Sequence, residues 1–263
     1  MRIFLLNLLN LSKCYKGARR ALKWWLRVLA QGENSRNLLG MTSKKHDLKR
    51  LSTIFTASLA SDCLDHMGFR NQILKSDIEM ISGEGVMMGY AFPVKVEAVF
   101  EAPEIPYVGL LKALDEVGED QVYITPSNRN NGGDHPAAFW GELLSTACKH
   151  KGVAGALTDG PVRDTVRMRA MGFKVFGIDT SPLDINSRYE VVAHNVPCVI
   201  DGVTINPGDL IVADIDGVVV VPVDQIDEVI ARVEEKNSGE NLFRDAVRQG
   251  MPPSQAFAKF GVL

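Results

Sequence analysis

Glu142, then twenty intervening residues, then the pair Arg163-Asp164 form a constellation whose residue types point to chemistry. Arg163 carries a planar guanidinium that grips a carboxylate or keto-acid at two points. Asp164 and Glu142 supply hard oxygens of the kind that hold Mg²⁺ or Mn²⁺ while several waters stay bound. Gly141-Glu142-Leu143-Leu144 reads as the start of a helix, whose unpaired backbone N–H groups hold a carboxylate or phosphate. Together these groups suit a small metal-chelating oxoacid. A plainer account stands beside that one: an acid in the first turn of a helix is favoured by the macrodipole in any case, and Arg163 would serve equally as a solvated surface charge.

The elements that must position these groups lie between Gly132 and Gly177. Gly132 and Gly133 read as a flexible approach. Phe139, Leu143, Leu144, Ala147 and Cys148 recur at helical spacing, which predicts a helix over about Trp140 to Lys149. The small apolar run Gly152 to Thr158 reads as a buried strand, and Asp159-Gly160 as a turn. Pro161 is placed at the first position of a second helix that carries Arg163 and Asp164 in its first turn and ends at Met171-Gly172. A strand over Lys174 to Ile178 follows.

Glu142 with Arg163-Asp164 resembles the acidic-X20-Arg-Asp signature of the class II 4-hydroxy-4-methyl-2-oxoglutarate/4-carboxy-4-hydroxy-2-oxoadipate aldolases, which share a family with the RraA-type regulators of ribonuclease activity. The surrounding words WGELLSTA, GVAGALTDGPVRD and VTINPGDLIVADIDGVVVVP are similar as well, over about Leu51 to Glu235. One departure is Glu142, where the aldolase signature begins with Asp; the longer stem moves the donor and bears on substrate identity more than on metal use. The resemblance implies an α/β fold, the RraA-like swivelling β/β/α domain with a mixed sheet flanked by helices. It also implies a homo-oligomer, a trimer or a hexamer, with sites between subunits.

For the site, the resemblance implies Mg²⁺ or Mn²⁺ at Asp164, with Glu142 and Glu235 as outer ligands through water; Glu234 is the alternative to Glu235. Arg163 and Glu142 would be catalytic, and Gly141, Glu142, Leu143, Leu144 and Arg163 would bind a small 2-oxoacid. The activity implied is cleavage of 4-hydroxy-2-oxoacids to pyruvate, with oxaloacetate decarboxylation from the same enolate. The alternative is a non-catalytic regulator that docks on a ribonuclease, and a third possibility is a lyase or hydro-lyase acting on a sugar-derived acid.

The rest of the chain bounds these readings. At 263 residues with 46% apolar content it can bury one substantial core. Cys14, Cys63, Cys148 and Cys198 are widely spaced, which argues for a reducing, cytoplasmic setting and against a zinc knuckle or disulfide scaffold. Residues 1–32 hold seven Lys/Arg and no acid, leaving 22 basic against 32 acidic residues and a net of about −10 elsewhere, which argues against nucleic-acid binding. The division expected is a basic extension over 1–40 and a single domain over 41–263 with a C-terminal helical tail. The extension reads as a start-site artefact, with Met41 the true start, or as a tail; an amphipathic helix on an anionic membrane is the competing account. No G-x-G-x-x-G, Walker lysine loop, G-x-S-x-G or H-E-x-x-H is present.

Further along, helices are expected over His46 to Met67, paired strands over Ile81 to Val99 with Gly83, Gly85 and Gly89 at turns or bulges, and a helix over Pro103 to Val117 with Val108, Leu111, Leu114 and Val117 on one stripe. Gln121 to Thr125 reads as a strand, Thr180 to Val192 as a loop, and Val223 to Lys236 as an amphipathic helix. Asp62, Asp65 and His66 read as a solvated or capping face, Asp214 and Asp216 as a turn, and Asp134-His135 as loop packing.

Overall fold

The computed structural model describes residues 46–74, 77–101, 103–127 and 137–262. The basic segment 1–40, Met41, the Gly132-Gly133 approach and Asp134-His135 lie outside the described residues. Residues Asp47–Leu263 pack as one unit.

Two helices open it, α1 (Leu48–Leu51) and α2 (Ala57–His66). Each is begun by a side-chain cap: Asp47 accepts from the Arg50 N–H and Thr56 from the Leu59 N–H. Strands β1 (Glu79–Ser82) and β2 (Met87–Ala98) follow, then α3 (Val108–Glu116), β3 (Gln121–Thr125), α4 (Glu142–His150), β4 (Gly155–Thr158) and β5 (Pro161–Val162). Next come α5 (Thr165–Met171), β6 (Val175–Gly177), β7 (Asp179–Thr180), β8 (Tyr189–His194), and the hairpins β9 (Cys198–Ile200) with β10 (Val203–Ile205) and β11 (Leu210–Asp214) with β12 (Gly217–Val221). Helices α6 (Ile226–Arg248) and α7 (Pro253–Phe260) end the chain.

The main sheet runs β1-β6-β4-β3-β2-β11-β12, with β8 beside the outer half of β2. Its centre, β2-β3-β4-β6, is parallel, and every other pairing is antiparallel. Side chains alternate across this sheet. On β2, Met88, Phe92, Val94 and Val96 face the helices, and Met87 and Ala91 face the other way. On the helical side, α3, α4 and α5 cover one half of the sheet, and α1, α2 and α6 cover the other. The opposite face is covered by the β9–β10 hairpin through Ile200, Val203 and Ile205. Hairpin, sheet and helices make the three β/β/α layers.

Several boundaries differ from expectation, each for a physical reason. The strands within 81–99 do not pair with each other: β1 joins β6, and β2 joins β3, β8 and β11. Gly89 is neither turn nor bulge but lies inside β2, where a Cβ would come within 2.8 Å of the Ala154 Cβ. Pro161 opens no helix. It pairs as strand β5 with β7, so Arg163 and Asp164 precede α5 instead of sitting in its first turn. Helix α4 begins at Glu142, because Ala138 is held extended against residues 183–184 and Phe139 and Trp140 against β5. The buried stripe of α3 is Leu110, Ala113 and Leu114, while Leu111 is 56% exposed. Residues 180–192 are not wholly loop, since β7 and β8 take part of them, and α6 runs on through 23 residues. Asp214 caps α2 by accepting from the Ala57 N–H at 2.8 Å and closes its own turn on the Asp216 N–H at 2.9 Å. Asp62 pairs with Lys236, and its carbonyl lies 2.7 Å from His66 Nδ1.

Candidate functional site

Three extended segments lie side by side and set the site. The Phe139 N–H donates to the Pro161 carbonyl and the Arg163 N–H to the Trp140 carbonyl, both at 2.9 Å. The Ala138 N–H donates to the Leu183 carbonyl at 2.7 Å. These bonds bring residues 141–142, 163–164 and 184 together although they are far apart in the chain. Trp140 is buried, and its Nε1 donates to Ser145 Oγ at 2.8 Å; that hydroxyl in turn donates to the Gly141 carbonyl at 3.0 Å, fixing the entry to α4.

Gly141 is the N-cap of α4 and supplies no side-chain acceptor. The first N–H groups of a helix have no partner within it, so those of Leu143 and Leu144 are open to an external anion. Asp164 is the N-cap residue of α5 in the left-handed conformation, φ 58°, a backbone that Asp tolerates better than most residues. Its carboxylate does not cap its own helix. It turns toward α4, where Oδ2 lies 3.4 Å from the Glu142 nitrogen and 3.6 Å from Arg163 Nε. A Cβ on Gly141 would sit 2.9 Å from that same Oδ2 and 3.1 Å from Arg163 Cγ, so the glycine makes room for the pair.

Glu142 accepts from Thr146 Oγ1 at 3.0 Å and stands 4.0 Å from an Arg167 nitrogen. Leu143 is 72% exposed beside a cavity of about 300 Å³ that Gly141, Leu144 and Arg163 also line. Arg163, Asp164, Gly141, Leu143, Leu144 and the Glu142 backbone therefore converge, while the Glu142 carboxylate turns to Thr146 and Arg167. Glu235 does not join them within the chain: it lines a separate cleft between α2, α6 and α7 with Cys63, His66 and Phe257, and Glu234 pairs with Arg50 at 2.7 Å. Tyr189 packs on Phe139 with ring centres 5.0 Å apart.

Two residues of the site escaped sequence reasoning. Asp184 receives an Arg163 guanidinium nitrogen at 3.3 Å and the Tyr107 hydroxyl at 2.6 Å, both on Oδ2. Partial burial pushes the Asp184 carboxyl up, but the bonds from Tyr107, the Asn186 N–H and Arg163 outweigh it and hold the acid below its ordinary range. Tyr107 is raised, by desolvation first and then by its bond to Asp184. The available signal was an acid in a segment read as loop and an aromatic before a helix, neither at a spacing tied to Arg163. Cys148, on the buried side of α4, is pushed up to about 12 by burial and offers no nucleophile.

The sequence pattern of the RraA-like family, described as Aldolase/RraA, matches residues 56–220. Protein DlpA of Legionella pneumophila is 27% identical over 220 residues, covering 84% of this chain; the chain spans about a third of that relative's length, 34%. A protein of Halalkalibacterium halodurans, named "Putative 4-hydroxy-4-methyl-2-oxoglutarate aldolase", is 29% identical over 197 residues, covering 75% of this chain and 87% of its own. Among solved structures, Streptomyces coelicolor RraAS2, titled an unusual member of the RNase ES inhibitor RraA protein family, superimposes with a TM-score of 0.63 at 26% identity, covering 77% of this chain and 98% of its own. With the family pattern spanning β/β/α core and site alike, the chain belongs to the RraA-like family.

Proposed function

We propose that the protein is a divalent-metal-dependent carbon–carbon lyase that cleaves 4-hydroxy-2-oxoacids to pyruvate and decarboxylates oxaloacetate from the same enolate. The observation that carries this reading is the meeting of Arg163, the Asp164 carboxylate and the open N-terminus of α4 around Gly141. The name of the Halalkalibacterium relative points the same way.

Arg163 binds the substrate carboxylate, and the Leu143 and Leu144 N–H groups face the keto oxygen, where negative charge grows as the bond breaks. The donors present are hard carboxylate oxygens: Asp164 is half-exposed beside Arg163, and Glu142 is held by Thr146 at the start of α4. That fits Mg²⁺ or Mn²⁺, which keep waters, better than a closed zinc site. Held there, the cation would supply Lewis-acid polarisation of the keto group. Glu142 positions the water that takes the proton from the 4-hydroxyl and returns one to C3. An acidic residue of a neighbouring subunit, Glu235 or Glu234, would approach from outside in a trimer or hexamer.

The test is pyruvate release from oxaloacetate and 4-hydroxy-4-methyl-2-oxoglutarate with Mg²⁺ or Mn²⁺, and again with excess chelator. Release is expected only with metal and is expected to vanish in Asp164→Ala and Arg163→Ala; full activity in either variant defeats the assignment. The likeness to RraAS2 favours a second reading, regulation of a ribonuclease by docking. Stable co-purification with a ribonuclease, without pyruvate release under any metal, would select it.

A further inference from the structure

The cavity beside Arg163 is built almost wholly of apolar groups. Leu111 and Leu114 of α3, Leu144 and Ala147 of α4, and Phe139 and Ile185 form its walls. Among the described residues that line it, Arg163 is the one cation and Asp184 the one anion, and both stand at the same end. Part of the guanidinium is already committed to Asp184 at 3.3 Å and to Asp164 at 3.6 Å. Its five donors leave capacity for one further carboxylate. A second substrate carboxylate, carried at C4, would enter an apolar space where the only other charge among the described residues is negative, and would lose hydration without gaining a partner among them. An alkyl or aryl group in the same position would gain by burial.

We infer that this cavity receives the C4 substituent of the substrate, and that the preferred substrate is a monocarboxylic 4-hydroxy-2-oxoacid bearing an apolar group at C4. The inference rests on the lyase reading and deepens it. In the cleavage the C3–C4 bond breaks and the 4-hydroxyl gives up its proton as C4 becomes a carbonyl. The bonding pair passes into the enolate, which takes a proton at C3. The products are pyruvate and an apolar aldehyde or ketone. The reaction that supplies such a substrate is accordingly one that makes a 2-oxoacid from an alkyl or aromatic precursor, and the one that follows it consumes the apolar carbonyl compound.

Two measurements on the full chain with Mg²⁺ test this. In the first, kcat/KM is compared for 4-hydroxy-2-oxo-4-phenylbutanoate and 4-hydroxy-4-methyl-2-oxoglutarate. In the second, calorimetry compares binding of 2-oxo-4-phenylbutanoate and 2-oxoglutarate, which lack the 4-hydroxyl and cannot be cleaved. A preference of about tenfold or more for the aryl compound is expected in each. Leu111→Arg places a second cation at the cavity wall and is expected to narrow or reverse both ratios. Parity, a dicarboxylate preference or no aryl binding in calorimetry overturns the inference, including where a second copy of the chain fills the cavity. Exchange of the pyruvate methyl protons for deuterium separates the two claims, because it reads enolate formation without any C4 group. Exchange without an aryl preference sinks this inference alone; no exchange with any metal sinks the lyase reading, and the calorimetric ratio then decides what the cavity takes.

Discussion

At the scale of single residues, the site depends on which oxygens and nitrogens share Gly141. Gly141 has an extended backbone, φ −161°, that any residue adopts, so Gly141→Ala costs nothing in conformation and acts only by contact. The added methyl displaces the Asp164 carboxylate, and a loss of about 10²-fold in kcat/KM is expected, with an unchanged urea midpoint. Asp164→Asn keeps the size and the tolerance for the left-handed backbone but removes the charge; metal-dependent turnover should fall at least about 10²-fold while the fold is retained. Asp184 offers a different test, since its carboxyl is held below its ordinary value in the folded protein. A depressed folded value means that its stabilising effect is complete above the unfolded pKa of about 4 and is lost as pH falls through the folded one. The stability difference between the native chain and Asp184→Asn, followed by urea titration, should therefore be constant from pH 5 to 7 and shrink below about pH 4. A difference that grows on acidification would show that the Tyr107–Asp184–Arg163 bonds do not act as described. The proximity of Glu142 to Arg163-Asp164 was legible through the spacing of the family signature, because α4, β4 and β5 carry the chain back to the same point. Asp184 and Tyr107 were not, because their meeting depends on a bridge between residues 138 and 184 and on the entry to α3.

At the scale of elements, periodicity located strands and helices well and misjudged what each faces. β3 falls where Gln121 to Thr125 reads as a strand, because a short continuous run of β-branched and aromatic residues suits a strand buried on both faces. On α3 the apolar residues outnumber the buried places: Val108, Leu110, Leu111 and Leu114 all fit a stripe, and only contact with the sheet selects Leu110, Ala113 and Leu114. Pro161 carried a helix-start signal that pairing with β7 overrode, a tertiary effect that no local rule contains. Gly109 shows what the packing of α3 demands. A Cβ there would fall 1.6 Å from the Val191 carbonyl oxygen, so the helix backbone lies directly on β8. Backbone cannot yield as a flexible side chain does, and Gly109→Ala should lose about 1–3 kcal/mol or more in urea unfolding despite the better helix propensity of alanine. A stabilised variant would mean that α3 stands off the sheet.

At the scale of the whole molecule, the division of the chain follows from where contacts begin. Asp47 caps α1, Leu48 and Leu51 are buried in the layer formed with α2 and α6, and Arg50 pairs with Glu234 across that layer. The three layers were legible through the family resemblance, whereas this dependence of α6 on residues 47–51 was not, because four residues carry too short a pattern to read. We expect a chain started at Met41 to keep its urea midpoint and its cooperative transition, since every packing contact named above is retained. A chain started at Thr53 would lose both leucines and expose the facing side of α6. Truncation of each buried leucine costs about 2–5 kcal/mol, a large share of the roughly 5–15 kcal/mol that holds a domain together. The shorter chain should therefore unfold at clearly lower urea, with α6 exchanging its amide protons first. Equal midpoints for the two would place the start of the folded unit after α1, and a lower midpoint for the Met41 chain would place a stabilising contact within residues 1–40.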